Sequence, residues 1–75
     1  LKQSKMNKYY LHKDFIPHLT DLEAGFELAE NDLEAMAHNV DEPLNDEYPD
    51  SYVEITKEQN DLIRKTANDF GVYDL

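Results

Sequence analysis

Residues 20–40 have the sequence TDLEAGFELAENDLEAMAHNV, and the fold prediction depends mainly on them. Their apolar side chains recur at spacings of four and three, the period of one face of an α-helix. This apolar seam consists of Leu22, Phe26, Ala29, Leu33, Met36 and Val40. Thr20 precedes the seam and Glu23 follows three residues later, which is the spacing of a capping box, in which each side chain bonds the amide of the other residue. We therefore predict one continuous helix over about residues 21–39, in which Gly25 costs roughly 1 kcal/mol relative to alanine.

A second helix is predicted over about residues 57–70. Thr56 and Gln59 repeat the capping-box spacing, and apolar residues follow at helical intervals. Gly71 stands where a left-handed residue typically ends a helix, and Val72 is placed to fold back onto the last turn. Packing of the two helices against each other gives a predicted core of Leu22, Phe26, Leu33, Met36, Leu62, Ile63 and Phe70.

The chain between the two helices is predicted to be irregular at first and then extended. Residues 41–50, the acidic connector, contain two prolines and several turn-forming residues, which exclude a regular helix. Residues 52–55 are rich in β-branched and aromatic side chains, so we predict an extended segment or a short strand there. Residues 8–11 are its candidate pairing partner.

The N-terminal part of the chain gives weaker signals. Proline disfavours a helical residue before it, so residues 15–17, which include Pro17, are predicted to be extended. Residues 2–12 are also compatible with a helix. The fold class that follows is mainly α, with one small acidic domain over residues 1–75 that begins with a basic segment over residues 1–13.

Length and composition limit the classes of protein that fit this sequence. A chain of 75 residues forms one domain with a small core. The absence of cysteine excludes disulfides and thiolate zinc sites, and it fits a reducing compartment. No apolar run approaches the roughly 20 residues that a membrane-spanning helix needs. We therefore expect a cytoplasmic protein that does not bind membranes.

Charge is distributed very unevenly along the sequence. Residues 14–56 contain thirteen carboxylates and neither lysine nor arginine, whereas all seven basic side chains lie in residues 1–13 and 57–75. These three segments carry −13, +4 and −1 respectively, which gives the formal net charge of −10. Crowding of one sign raises the electrostatic free energy of the folded state. Such an arrangement indicates a positively charged partner.

The predicted binding surface combines the first helix with the acidic connector. Spacings of four and three on one helix would form an acidic ladder of Glu23, Glu27, Glu30 and Glu34. The connector would extend this surface through Asp41, Glu42, Asp46, Glu47 and Asp50. Tyr48 lies among the connector acids, and exposed tyrosines are common anchors at protein interfaces.

These features predict a non-catalytic inhibitor or regulator whose acidic surface mimics nucleic acid. Its partner would be a basic nucleic-acid-binding protein, because lysine and arginine that bind phosphate also form charge-assisted hydrogen bonds with carboxylates. Small acidic proteins that mimic DNA, some of them from phages, share this general composition, but no motif here matches one of their families. Net negative charge argues against direct binding of nucleic acid.

Catalytic, metal and cofactor functions find little support in the sequence. Carboxylates are so abundant that no single pair indicates an acid–base site, and there is no glycine-rich phosphate loop. One metal cluster can be drawn from His12, Asp14, His18, Glu34 and His38. A Glu–His pair one helical turn apart is more often an ion pair than a ligand pair, so no metal and no cofactor are predicted. We expect no enzymatic activity.

The alternative function uses the apolar seam of the first helix. If the Leu22–Val40 face bound another helix, the protein would be a small helical adaptor or a homodimer, and the acids would serve solubility. Packing of the seam against the second helix is the simpler interpretation. Monomer and homodimer both remain compatible with the sequence.

Overall fold

The computed structural model describes residues 8–41 and 49–72, which form three α-helices and an antiparallel pair of strands. In chain order the elements are β1 (Tyr9–His12), α1 (Ile16–Glu23), α2 (Glu30–Asp41), β2 (Tyr52–Ile55) and α3 (Lys57–Phe70). Short 3-10 turns over Lys13–Phe15 and Pro49–Ser51 precede α1 and β2. The predicted fold class, a small and mainly helical domain with a short extended segment, is confirmed.

The prediction for α3 is confirmed at both ends. Thr56 Oγ1 accepts the amide N–H of Gln59 at 3.0 Å, and Gln59 Oε1 accepts the amide N–H of Thr56 at 2.8 Å, which completes the capping box. Gly71 ends the helix with a φ of 73°. The amide of Val72 then donates to the carbonyl of Ala67 at 3.1 Å, as in a Schellman motif.

The predicted strand at residues 52–55 is also confirmed, as β2. Its partner β1 begins one residue later than predicted, and Tyr9 lies opposite Ile55 in the antiparallel register. Leu11 on β1 is fully buried, which fixes the face that the pair turns toward the core. A helix through residues 2–12 is excluded over β1, while residues 1–7 lie outside the described part of the chain.

The single helix predicted over residues 21–39 is wrong, because the chain forms two helices there. Gly25, with a φ of 92°, stops α1 instead of lying inside a longer helix. The amide of Gly25 donates to the carbonyl of Leu22 at 3.1 Å, and that of Phe26 donates to Asp21 at 2.9 Å. These two bonds make a second Schellman motif.

The start of α1 also differs from the prediction. Residues 15–17 are not extended, because Ile16 has helical dihedrals of φ −59° and ψ −41° and Pro17 lies in the first turn. Proline loses no hydrogen bond in the first turn, where amides have no partner within the helix. Thr20 is not a helix cap, since its hydroxyl donates to the carbonyl of Ile16 at 3.1 Å. The start of α1 is therefore consistent with burial of Leu19 in the core and not with the local capping signal at Thr20.

The core brings together side chains from all five elements. Its central cluster consists of Leu11, Leu19, Met36, Val40, Ile55 and Ile63. Of the predicted core, Leu33, Met36 and Ile63 are fully buried, and Leu22 and Leu62 are half-buried. The prediction was wrong for Phe26 and Phe70, whose exposed fractions are 65% and 46%. Phe26 is exposed because α1 has ended before it.

Substitution of Gly25 distinguishes the two-helix fold from a single helix. Gly25→Ala should destabilise the protein by about 1 kcal/mol, since alanine tolerates positive φ poorly. No neighbouring atom lies within 4 Å of the new methyl group, so the cost comes from the backbone. Urea unfolding of the wild-type protein and of Gly25→Ala measures this change in the free energy of unfolding. A continuous helix would instead gain stability from the substitution, because alanine is the better helix former.

Two asparagines in the helices differ in whether their side chains are hydrogen-bonded. Asn39 on α2 accepts the backbone N–H of His12 at 2.8 Å through Oδ1, and its Nδ2 donates to the Tyr52 hydroxyl at 3.1 Å. These bonds join α2 to both strands. Asn60 on α3 is only 3% exposed, and its Oδ1 has no hydrogen-bond partner among the described residues.

We expect the same substitution to act with opposite sign at these two positions. Asn60→Leu should raise the free energy of unfolding by about 1 kcal/mol, because it removes a buried polar group without a partner. Asn39→Leu should lower it by about 1–3 kcal/mol, because the His12 amide and the Tyr52 hydroxyl lose their partner. Urea titrations of both variants give the comparison. A larger loss at Asn60 than at Asn39 would contradict this hydrogen-bond assignment.

Candidate partner-binding surface

The four glutamates of the predicted ladder do not lie on one helix. Glu23 ends α1 and Glu27 lies in the connection to α2, whereas Glu30 and Glu34 lie on α2 itself. Only Glu30 and Glu34 keep the four-residue helical spacing, with Cβ atoms about 5–6 Å apart. The ladder geometry is therefore corrected to a helix end, a loop and the first turns of a second helix, because Gly25 interrupts the helix.

All four glutamates are nevertheless exposed. Glu23 accepts a hydrogen bond from Nε2 of Gln59 at 3.3 Å, which fixes the end of α1 near the start of α3. Glu27, Glu30 and Glu34 form no ion pair within the part of the chain that the structure describes. Glu30 lies in the first turn of α2, where the helix dipole favours a carboxylate.

The other predicted site residues are divided between the described and the omitted parts of the chain. Asp41 at the end of α2 lies 3.0 Å from Nη2 of Arg64 on α3, so this carboxylate joins two helices. Asp50 is exposed in the 3-10 turn before β2. The remaining members of the connector set lie outside the described residues and are Glu42, Asp46, Glu47 and Tyr48.

The lysines of α3 form ion pairs with carboxylates of the same helix. Lys57 Nζ lies 2.8 Å from Asp61, and Lys65 Nζ lies 2.7 Å from Asp69, each across one turn. The hydrogen bond to Asp61, together with its charge, raises the pKa of the Lys57 ammonium above its usual range. Because these lysines have local partners, they do not neutralise Glu27, Glu30 or Glu34.

Phe26 is the surface residue that the sequence interpretation missed. It lies in the connection between Glu23 and Glu27 with its aromatic ring exposed. The signal was present, because a glycine followed by an apolar residue ends α3 at Gly71 in the same way. We call the set Glu23, Phe26, Glu27, Glu30 and Glu34 the α1–α2 acidic surface.

Half of the apolar seam that the alternative function requires is not available as a surface. Leu33, Met36 and Val40 are buried inside the domain. A partner helix would have to displace the core to reach them. These three residues of the seam pack within the domain, whereas Phe26 and Ala29 are exposed between α1 and α2.

The histidines considered for a metal cluster have other neighbours. Nδ1 of His12 accepts the backbone N–H of Asp14 at 3.1 Å, and Nε2 of His18 lies 3.8 Å from the Asp32 carboxylate. Over residues 8–41 and 49–72, no three potential ligands are grouped around one metal position. The same residues enclose no detectable cavity. Within this described part, no helix is both long and apolar enough to span a membrane.

Comparisons with protein-family models, with curated proteins and with solved structures give no match to this chain. The α1–α2 acidic surface has four exposed carboxylates and one exposed aromatic ring, which are close together in the sequence.

Proposed function

We propose that this protein is a non-catalytic inhibitor or regulator that binds a basic nucleic-acid-binding protein through the α1–α2 acidic surface. The observation that supports this proposal is that Glu27, Glu30 and Glu34 are exposed and have no cationic partner in the described chain. Folding alone does not account for Glu30 and Glu34 together, since like charges one helical turn apart are destabilising and only Glu30 lies in the first turn, where the helix dipole favours a carboxylate. A basic partner would remove the repulsion.

The physical basis of recognition is the similarity between carboxylates and phosphates as anions. Lysine and arginine side chains that line a nucleic-acid groove form short charge-assisted hydrogen bonds with either group. A folded domain that exposes several carboxylates on neighbouring segments would occupy such a groove. Nucleic acid would then be excluded by competition for the same cations.

The formal net charge of −10 supports the same choice of partner. Nucleic acid carries the same sign as this protein and is repelled by it. A basic protein surface is attracted over a distance of about one Debye length, roughly 8 Å at physiological ionic strength. Association with the partner should therefore be fast at low salt and should slow as salt increases.

Capture of partners from lysate at low salt, followed by elution with duplex DNA, tests this proposal. We expect the immobilised protein to retain nucleic-acid-binding proteins that DNA releases, because DNA competes for the same cations. A neutral polymer at equal mass concentration is the control and should release nothing. Retained proteins that only detergent releases, with no response to DNA or salt, would contradict the proposal.

A further inference from the structure

We infer that Phe26 is the apolar anchor of the α1–α2 acidic surface. Its partner would be a lysine- or arginine-rich protein segment that presents an apolar side chain between its cations. This inference rests on the proposed function and specifies the chemistry of the partner. A surface that mimics only phosphate does not need an aromatic ring. Phe26 therefore indicates an additional contact with an apolar side chain of the partner, which nucleic acid does not make.

The exposure of Phe26 is the first observation behind this inference. Among the large apolar side chains that the structure describes, Phe26 has the highest exposed fraction, 65%, compared with 46% for Phe70 and 43% for Val53. Aromatic side chains are enriched at interface hot spots, where their burial contributes much of the binding energy. An exposed ring between charged residues of the chain is suited to such a role.

The backbone at Phe26 is held in place before any partner binds. Its amide donates to the carbonyl of Asp21 at 2.9 Å, and the preceding Gly25 amide donates to Leu22. In α3 the corresponding residue, Val72, is half-buried, whereas Phe26 is exposed. A residue with a fixed backbone loses less conformational entropy on binding.

The charges around Phe26 determine the kind of partner. Glu23, Glu27 and Glu30 flank the ring in the chain, and all three are exposed. A second copy of the protein would bring identical carboxylates together, and an anionic membrane would repel them. A basic segment neutralises the acids while its apolar side chain covers the ring.

Two synthetic helical peptides of equal length and equal arginine content provide the test. One peptide carries leucines between its arginines on the same helical face, and the other carries serines at those positions. Fluorescence anisotropy gives the Kd of each peptide for the wild-type protein, for Phe26→Ala and for Phe70→Ala, at low and at physiological ionic strength. Phe70 is a matched control because it is an exposed phenylalanine about 16 Å along α3 from Gln59, which contacts Glu23.

We expect the wild-type protein to bind the leucine peptide about tenfold more tightly than the serine peptide. Phe26→Ala should remove this preference without changing affinity for the serine peptide, and Phe70→Ala should change neither value. The role of Phe26 is overturned if the wild-type protein binds both peptides equally, or if Phe26→Ala keeps the preference for the leucine peptide. In either case, binding that weakens with salt still supports the acidic surface. Binding of neither peptide, or binding that does not respond to salt, overturns both proposals.

Discussion

Leu33→Ala should destabilise the protein by about 2–5 kcal/mol, the usual cost of a cavity at a buried leucine. Leu33 on α2 is fully buried, so water and neighbouring side chains fill the lost volume poorly. Phe26→Ala should change the free energy of unfolding by only about 0.5 kcal/mol, because surface substitutions have small effects. Urea titrations followed by circular dichroism measure both variants.

This pair of substitutions tests the division into α1 and α2. In one continuous helix Phe26 and Leu33 would lie on the same apolar seam, and their loss would have similar effects. In the two-helix fold only Leu33 faces the core. Comparable destabilisation by the two alanine variants would show that Phe26 is buried and would contradict the position of the α1–α2 connection.

Reversal of two charges on the α1–α2 acidic surface should weaken partner binding by roughly 2–4 kcal/mol, since like-charge contacts at an interface cost several kcal/mol. The suitable variant is Glu27→Lys with Glu34→Lys. Glu27 lies outside the helices, and lysine at position 34 would face Glu30 one turn earlier with the favourable orientation. Helix content should therefore be unchanged while the Kd for a DNA-releasable partner rises.

The control for this experiment changes the net charge equally at another place. The control variant, Asp61→Lys with Asp69→Lys, changes two residues of α3. Each reversal adds two units of positive charge, so this variant and Glu27→Lys with Glu34→Lys both have a formal net charge of −6 in place of −10. Partner binding should fall much less in the α3 variant. Equal weakening by the two variants would mean that total charge, and no particular surface, governs binding.

The parts of the fold that sequence predicted correctly have local causes. The capping box of Thr56 and Gln59, together with Gly71 and Val72, determines both ends of α3 through contacts within a few residues. The β-branched and aromatic composition of β2 likewise reflects a local preference. Such signals need no knowledge of the remaining chain.

The error in the first helix arose where local and tertiary preferences differ. The spacing from Leu22 to Val40 fits one helical face, but these residues are divided between α1, the connection and α2. Gly25 followed by Phe26 was the decisive local signal, and it matches Gly71 followed by Val72. Burial of Leu19 also requires α1 to begin near Pro17, which depends on contacts distant in sequence.

The residues of the candidate site were grouped by charge in the sequence, and the geometry predicted for the group was wrong. Uneven charge along the chain identified Glu23, Glu27, Glu30 and Glu34 as a group, because no nearby lysine or arginine exists to pair with them. Periodicity then placed them on one helix, which the structure contradicts. Phe26 was assigned to the core because an apolar residue in a helical pattern is usually buried. Its role as a surface residue became visible only with the end of α1.

Competition with duplex DNA for an isolated partner tests the central claim most directly. The partner's apparent Kd for labelled DNA is measured at increasing concentrations of this protein. We predict that the apparent Kd rises in proportion to the added protein while the maximum amount of bound DNA stays constant, because both ligands use the same cations. An unchanged apparent Kd, or a complex that contains DNA, partner and this protein together, would contradict the claim that the acidic surface occupies the nucleic-acid site.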